Sequence, residues 1–444
     1  MTIPTYPYIM ERATERLASG RARRGTIMLA LSIVSVGAAI PLTGQTPVRA
    51  DSQKAGLLGT SGGVSPAQGG RWHYDPDAGP IYQRGDLRWT IWGFAERYWG
   101  PSSSAVNADA WRRVRQGMEL DLPRLNSSLR PALVYEVDLT DNNFFRNGRA
   151  SQNIENLFVA IQNPEDASRF RALFGENVHI LSREDNLSSG NLPAINRSLI
   201  LEEHGSVNSF GTQWGIQVSR ALSSRTSLAL SAQDNRGSFN TTHPSYRIGN
   251  SLAAKLTTTV IRDTVRRRQL IVGAAVDYTH AIYDRIFTLA SAVGAEALGG
   301  IVATGNKLTL EGDAAFGWTM GSHPMSLEAE YLFSDFSHSL TDVSGGYVLL
   351  QASTFDSPAA GDLDPFVRYD VVRLGREVAP GSAMQQAVRT GVNYNLPYAG
   401  KHASLHAEYA FNHVTGPLYI VPGRRSFSEV RVEMRVNAAR YLRH

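Results

Sequence analysis

Between residues 87 and 437 the chain returns to one pattern, a run of roughly ten residues alternating apolar and polar and then a turn. The clearest run is near the end. There Val430, Val432, Met434 and Val436 alternate with Arg431, Glu433, Arg435 and Asn437. A β-strand sends successive side chains to opposite faces, so this segment has one oily face and one charged face. About 9–11 tilted residues are enough for a strand to cross the hydrocarbon core of a bilayer. A sheet can do so only when closed, because an open edge leaves backbone N–H and C=O groups unpaired in lipid. The pattern therefore predicts an all-β fold, a transmembrane antiparallel β-barrel.

About sixteen such segments can be placed, an even number as single-chain barrels of this kind require. They run from 86–99, 112–122, 129–139, 153–162 and 169–174 through 209–220 and onward to 426–438. Some connections are short, as at 123–128 and Ser223-Ser224, and others long, as at 140–152 and 236–250. The stretch 283–304 reads as a long loop or as one more hairpin. The longest connection, 176–208, is too long for an idle loop, since structureless loops of that size are uncommon and usually functional. It is expected to fold into the lumen as a constriction loop.

The N-terminus reads as an export signal. Arg21, Arg23 and Arg24 precede the apolar run 26–42, and Val48-Arg49-Ala50 supplies a small-x-small cleavage site. The chain then divides into a signal peptide (1–50), a flexible, Gly- and Pro-rich periplasmic lead-in (51–84) and the barrel (85–444). An N-terminal membrane anchor is the alternative for the first segment. The formal charge of +4 is misleading, because the leader carries six arginines against Glu11 and Glu15. The remainder is neutral, which gives no support to a nucleic-acid partner. Only Lys54, Lys255, Lys307 and Lys401 among the 44 basic residues are lysines. The absence of cysteine suits an oxidising compartment.

The order of segments RRVRQGMELDL (112–122), LRPALVYEVDLTDN (129–142), IENLFVAIQNP (154–164), FRALFGENV (170–178), NRSLILEEHG (196–205) and GTQWGIQVS (211–219) resembles the first half of the phosphate-selective porin O and P family. The match covers 105–220; downstream it rests on strand rhythm and length. The resemblance implies a sixteen-stranded, trimeric porin in a Gram-negative outer membrane, with an inward loop and an arginine track. It also implies lipids and the barrel assembly machinery as partners. Three features depart from the family: few lysines after Lys54, Gly175-Glu176-Asn177-Val178 in place of a basic, proline-containing segment, and a C-terminus where Tyr441 is followed by Leu-Arg-His rather than ending the chain.

A pore does its chemistry through electrostatics: rings of Arg favour anions, and rings of Asp or Glu favour cations. Strand parity places Arg113, Arg115, Arg169 and Arg171 in the lumen, together with Arg431 and Arg435 on the last strand. Arg183 and Arg197 fall on the constriction loop. Glu119, Asp121, Glu136, Asp138 and Glu433 share the same face, so the arginines form either an anion track or a salt-bridged wall. Glu184-Asp185 and Glu202-Glu203 make the loop acidic too. The expected function is passive diffusion of small hydrophilic solutes, anions such as phosphate among them, with no cofactor, no metal and no catalytic residue. No Gly-x-Ser-x-Gly or phosphate loop occurs. His179, His204, His280, His402 and His406 are scattered; His402 and His406 lie about 13 Å apart by strand rise. A barrel without an open pore (enzyme, structural or adhesive) and a soluble periplasmic β protein are the alternatives.

Overall fold

The computed structural model describes residues 70–75, 79–100, 108–139, 154–184, 186–187, 192–195, 197–201, 212–234, 248–281, 285–290, 296–303, 306–337, 342–353, 355–357, 361–375, 383–397, 403–415 and 425–439. The signal peptide, the lead-in up to residue 69, Asp185, Glu202, Glu203, His204, His402 and Tyr441 lie outside the described residues. The strands of the first half are β1 (Arg71–Asp75), β2 (Gly79–Arg84), β3 (Leu87–Gly100), β4 (Ala108–Asp121), β5 (Arg130–Asp138), β6 (Ile154–Gln162), β7 (Phe170–Val178), β8 (Thr212–Ala221), β9 (Thr226–Asp234) and β10 (Ile248–Asp263). Then come β11 (Arg268–Ala281), β12 (Arg285–Ala290), β13 (Glu296–Ala303), β14 (Lys307–Met320), β15 (His323–Phe336) and β16 (Asp342–Ala352). The last are β17 (Phe355–Ser357), β18 (Gly361–Leu374), β19 (Ala383–Asn395), β20 (Ala403–Thr415) and β21 (Ser426–Ala439).

Sixteen of these strands, β3–β11, β14–β16 and β18–β21, form one antiparallel ring, closed where β21 pairs with β3. The stretch 283–304 resolves as a hairpin, β12–β13, outside the ring. The longest connections, β5–β6, β7–β8, β9–β10 and β11–β14, all leave the same end of the ring, and none at the other end exceeds eight residues. The turns follow local rules. Gly85 and Gly321 open two-residue hairpins at φ 59° and 64°, a backbone conformation that side chains disfavour. The arginine run at 266–268 is a turn, in which Asp263 Oδ1 accepts from the N–H groups of Val265 and Arg266.

Period-2 alternation decides what faces where. In β20, Leu405, Tyr409 and Phe411 are exposed on the outer face, while Ser404, His406, Glu408 and Asn412 are buried inside. The same holds in β21, where Val430, Val432 and Val436 point outward and Glu429, Arg431, Glu433 and Arg435 inward. An exposed apolar belt of this extent is far beyond what a soluble monomer tolerates. It is the expected outer face of a transmembrane barrel.

The lead-in corrects one expectation. Residues 71–84 do not form a flexible tether: β1 and β2 make a hairpin, and β2 pairs with the start of β3 from Ile81↔Thr90 to Arg84↔Leu87. β21 reaches β3 only as far as Ala439↔Gly93, so β2 takes over the same edge below it. The glycine- and proline-rich character that reads as a linker resides mainly in 55–70; the hairpin itself carries Trp72, Tyr74, Ile81 and Tyr82, which are strand formers. Trp72 packs on Tyr82 and on Trp89 of β3, with ring centroids 5.4 and 5.7 Å apart.

Candidate functional site

The connection from β7 to β8 folds into the barrel, as its length predicts. It crosses the lumen along a series of charged anchors on the inner wall. His179 leaves β7 against Ser251 and Asp277. The Leu181 carbonyl accepts from Lys255 Nζ at 2.8 Å. Glu330 of β15 accepts from the N–H groups of Arg183 and Glu184 at 3.2 and 3.0 Å. Glu184 then meets Arg368 of β18 in a bidentate pair at 2.5 and 3.1 Å. Farther along, Arg435 donates to the carbonyls of Leu192 and Ala194, and Asn393 to that of Pro193. Glu408 accepts from Ile195 N–H, and Arg389 donates to the Arg197 carbonyl. The described part of the segment closes with one helical turn at 199–201, whose Ile200 packs toward Gly345.

Lys255, Glu330, Arg435, Asn393, Glu408 and Arg389 each satisfy a loop backbone group, which is the condition for irregular backbone at this depth. The anchors' own charges are balanced. Arg368 also bonds Asp370 at 2.9 Å, and Asp370 in turn takes Arg389 at 3.0 Å. Arg431 pairs with Glu408 and Glu429, and Arg435 with Glu433. Burial alone would raise the pKa of Glu184, but Arg368 and the Ser198 N–H hold it below the ordinary carboxylate range.

The loop is thus fixed mainly on β15–β21 and leaves space against the opposite wall. A cavity of about 400 Å³ lies there, lined from β6, β7, β8, β9, β10 and β14 and from the loop itself. Its charged lining is Arg171, Arg183, Lys255 and Asp313. Arg183 is held by Glu328 at 3.4 Å, and Lys255 by Glu311 and Asp313 at 3.2 and 2.8 Å.

The eight arginines singled out from sequence separate into groups. Arg171 and Arg183 line the cavity. Arg113 and Arg115 face inward from β4 but are half-buried in ion pairs with Glu96, Glu136 and Asp138. Arg197 is on the loop, where it donates to the Leu187 carbonyl. Arg431 and Arg435 do not line open lumen: they are buried by their carboxylate partners and by loop residues 192–195. Arg169 belongs to the turn before β7, where it pairs with Glu165 and Asp166 and is exposed. Strand parity was right for β4 and β21, but it has no information on what covers a side chain. Lys255, Arg368 and Arg389 were missed, although each alternates inward in a strand whose neighbours are apolar, as in Val367-Arg368-Tyr369-Asp370.

One cluster has the residue types of a hydrolase. His179, Ser251 and Asp277 are in mutual contact. The wiring does not fit that role. Nδ1 accepts from the Leu181 N–H, so Nε2 carries the proton and donates. Ser251 donates to Asp277 at 3.0 Å, so no imidazole nitrogen is placed to take the hydroxyl proton. All three side chains are buried beneath the loop, consistent with anchoring its first residues.

No known family profile matches the chain, and no curated protein is similar to it in sequence. Solved structures are similar in fold. OmpT, an outer membrane protein of Vibrio cholerae, in its trimer form, superposes with a TM-score of 0.53 at 12% identity, over 79% of this chain and 99% of that one. Salmonella typhi OmpF, in a complex with daunomycin, gives 0.53 at 13%, over 80% and 99%. An anion-selective porin from Comamonas acidovorans gives 0.50 at 12%, over 79% and 99%. The chain therefore has the porin type of fold, a closed sixteen-stranded antiparallel barrel with a loop folded inside.

Proposed function

We propose that this barrel is an outer-membrane porin, a passive channel for small hydrophilic solutes. The observation that carries the reading is the loop: it is bolted across a closed, polar-lined barrel yet leaves a cavity with three cations and one carboxylate in its lining. Cations in a constriction lower the barrier for anions, and the carboxylates of Glu328, Glu311 and Asp313 beside Arg183 and Lys255 temper that preference. Phosphate is then one small anion among others. Membership of the phosphate-selective porin O and P family rests on the ordered segments between 105 and 220, and the acidic Glu184 and Glu328 near the constriction weigh against strict phosphate selectivity.

The rest of the proposal follows from the same reading. Export by a signal peptide cleaved after Ala50 would deliver the chain to a Gram-negative outer membrane, where lipids contact the apolar belt and the barrel assembly machinery inserts it. A homotrimer is the proposed assembly; a trimer form of the Vibrio cholerae relative in fold supports it. The wiring of the His179 cluster supports a non-enzymatic barrel. The test is the reversal potential of the purified protein in a salt gradient across a planar bilayer, wild type against Arg183→Ala. Stepwise conductance with anion preference, weakened in the variant, is expected. A silent, correctly folded protein would overturn the channel, and a cation-selective pore indifferent to the substitution would overturn the anion track.

A further inference from the structure

The inner wall is not polar throughout. Trp92, Ala132, Val134, Phe158, Ala160 and Leu173 point inward from β3, β5, β6 and β7 and pack into one buried apolar cluster. Most inward positions of the strands are polar, and this patch is set apart from the other buried apolar cluster, Tyr347, Leu349 and Phe366, which Ala194 of the loop covers. The patch also borders the cavity: Phe158 and Leu173 line it from the wall, and Ile180 and Leu187 line it from the loop. The cations Arg171, Arg183 and Lys255 share the same space, where Lys255 is held by Asp313 of the lining and by Glu311, and Arg183 by Glu328. The Arg171 guanidinium lies over the Phe158 ring, 5.7 Å from its centroid, so the charged and apolar surfaces meet there.

Those surfaces discriminate between solutes. A bare inorganic anion gains from the cations but loses hydration against Phe158 and Leu173 without compensation. A neutral apolar solute gains from the apolar wall but must displace water from four charged groups. A solute with both parts can satisfy both surfaces. The volume, about 400 Å³, lies within the range of small-molecule sites. We infer that the cavity is a binding site for organic carboxylates with an apolar body, with the carboxylate toward Arg171 and Arg183, away from Asp313, and the body against Phe158, Leu173, Ile180 and Leu187. This inference rests on the channel reading for its purpose but not for its test.

The test is calorimetric titration of the detergent-folded full barrel with four probes: benzoate, acetate, benzyl alcohol and phosphate. Benzoate is expected to bind at least about tenfold more tightly than each of the other three, the discrimination typical of one apolar group in a fitted pocket. Leu173→Asn should close the gap between benzoate and acetate, and Arg183→Gln the gap between benzoate and benzyl alcohol. Heat-modified gel migration checks folding; if a variant misfolds, the four wild-type affinities still decide. Equal affinity for benzoate and acetate, tighter binding of phosphate, or no benzoate binding by folded protein would each overturn the inference. A barrel that prefers benzoate but conducts nothing would overturn the channel and leave the site standing. A conducting barrel without the preference would do the reverse.

Discussion

Replacing Arg368 by methionine should loosen the constriction loop without opening the barrel. Arg368 is buried and makes two hydrogen bonds to Glu184, one to Asp370 and a cation–π contact to Tyr347, with 4.2 Å between the guanidinium carbon and the ring centroid. Its loss strands the Glu184 carboxylate, whereas Asp370 keeps Arg389 at 3.0 Å. Removing one partner of a buried pair costs about 3–5 kcal/mol. The ring of strands does not depend on this pair, so the penalty falls on the docked state of the loop. At about 1.4 kcal/mol per tenfold, the ratio of docked to undocked loop falls by roughly two to three and a half orders of magnitude. Single-channel recording should show larger or noisier openings than wild type, with the heat-modified band on gels unchanged. Glu184→Met in the same chain should quieten the channel again, since replacing both members of a buried pair by apolar groups is often nearly neutral. Unchanged open-channel conductance and noise in Arg368→Met would refute the reasoning, as would a double variant noisier than the single.

Acidity should act through the same carboxylate. The pKa of Glu184 is held below its ordinary value of 4.5 by Arg368 and the Ser198 N–H, against the effect of burial. Its anchoring is therefore fully present above that value and is lost as pH falls through the lower, folded one. In Glu330→Gln, where the neighbouring anchoring carboxylate cannot titrate, open-channel noise should stay flat from about pH 7 down to about 4.5 and rise only below it; a rise centred near pH 6 in that variant would contradict the assignment. On the outer face, Val432→Arg places a charge near the middle of β21 and should destabilise the barrel by about 2–4 kcal/mol. The denaturant midpoint of barrels refolded into vesicles measures this, and an unmoved midpoint would contradict the lipid-facing assignment. The purified mature protein should begin at Asp51 by mass spectrometry; a retained leader would favour the anchor reading of residues 26–42.

The fold was largely legible because one signal, period-2 alternation, recurs in nearly every strand and is decided by the residue types themselves. Val430 and Arg431 could not exchange faces without putting a guanidinium in lipid. The inward loop was legible from length alone. The loop's anchors were not, because Glu184 meets Arg368 across 184 positions of sequence. No local pattern carries such a contact. Arg431 and Arg435 show the limit most directly: parity gives the face, but only the folded loop shows that this part of the face is covered. The β1–β2 hairpin was hidden by its neighbours, since the glycine-rich stretch before it colours the whole segment as linker.

That hairpin changes what it means for this barrel to close. The edge of the first wall strand is shared by two segments from opposite ends of the barrel sequence: β21 along its upper part and β2 along its lower part. Docking the final strand alone would leave the N–H and C=O groups between Leu87 and Thr90 without the ladder that β2 provides. A chain trimmed back to Leu87 would keep every one of the sixteen wall strands and still have a leak-prone slit at one rim, with peptide groups facing lipid headgroups. The segment ahead of the barrel is thus part of its weld, and completion of the wall depends on both ends of the barrel arriving at the same strand.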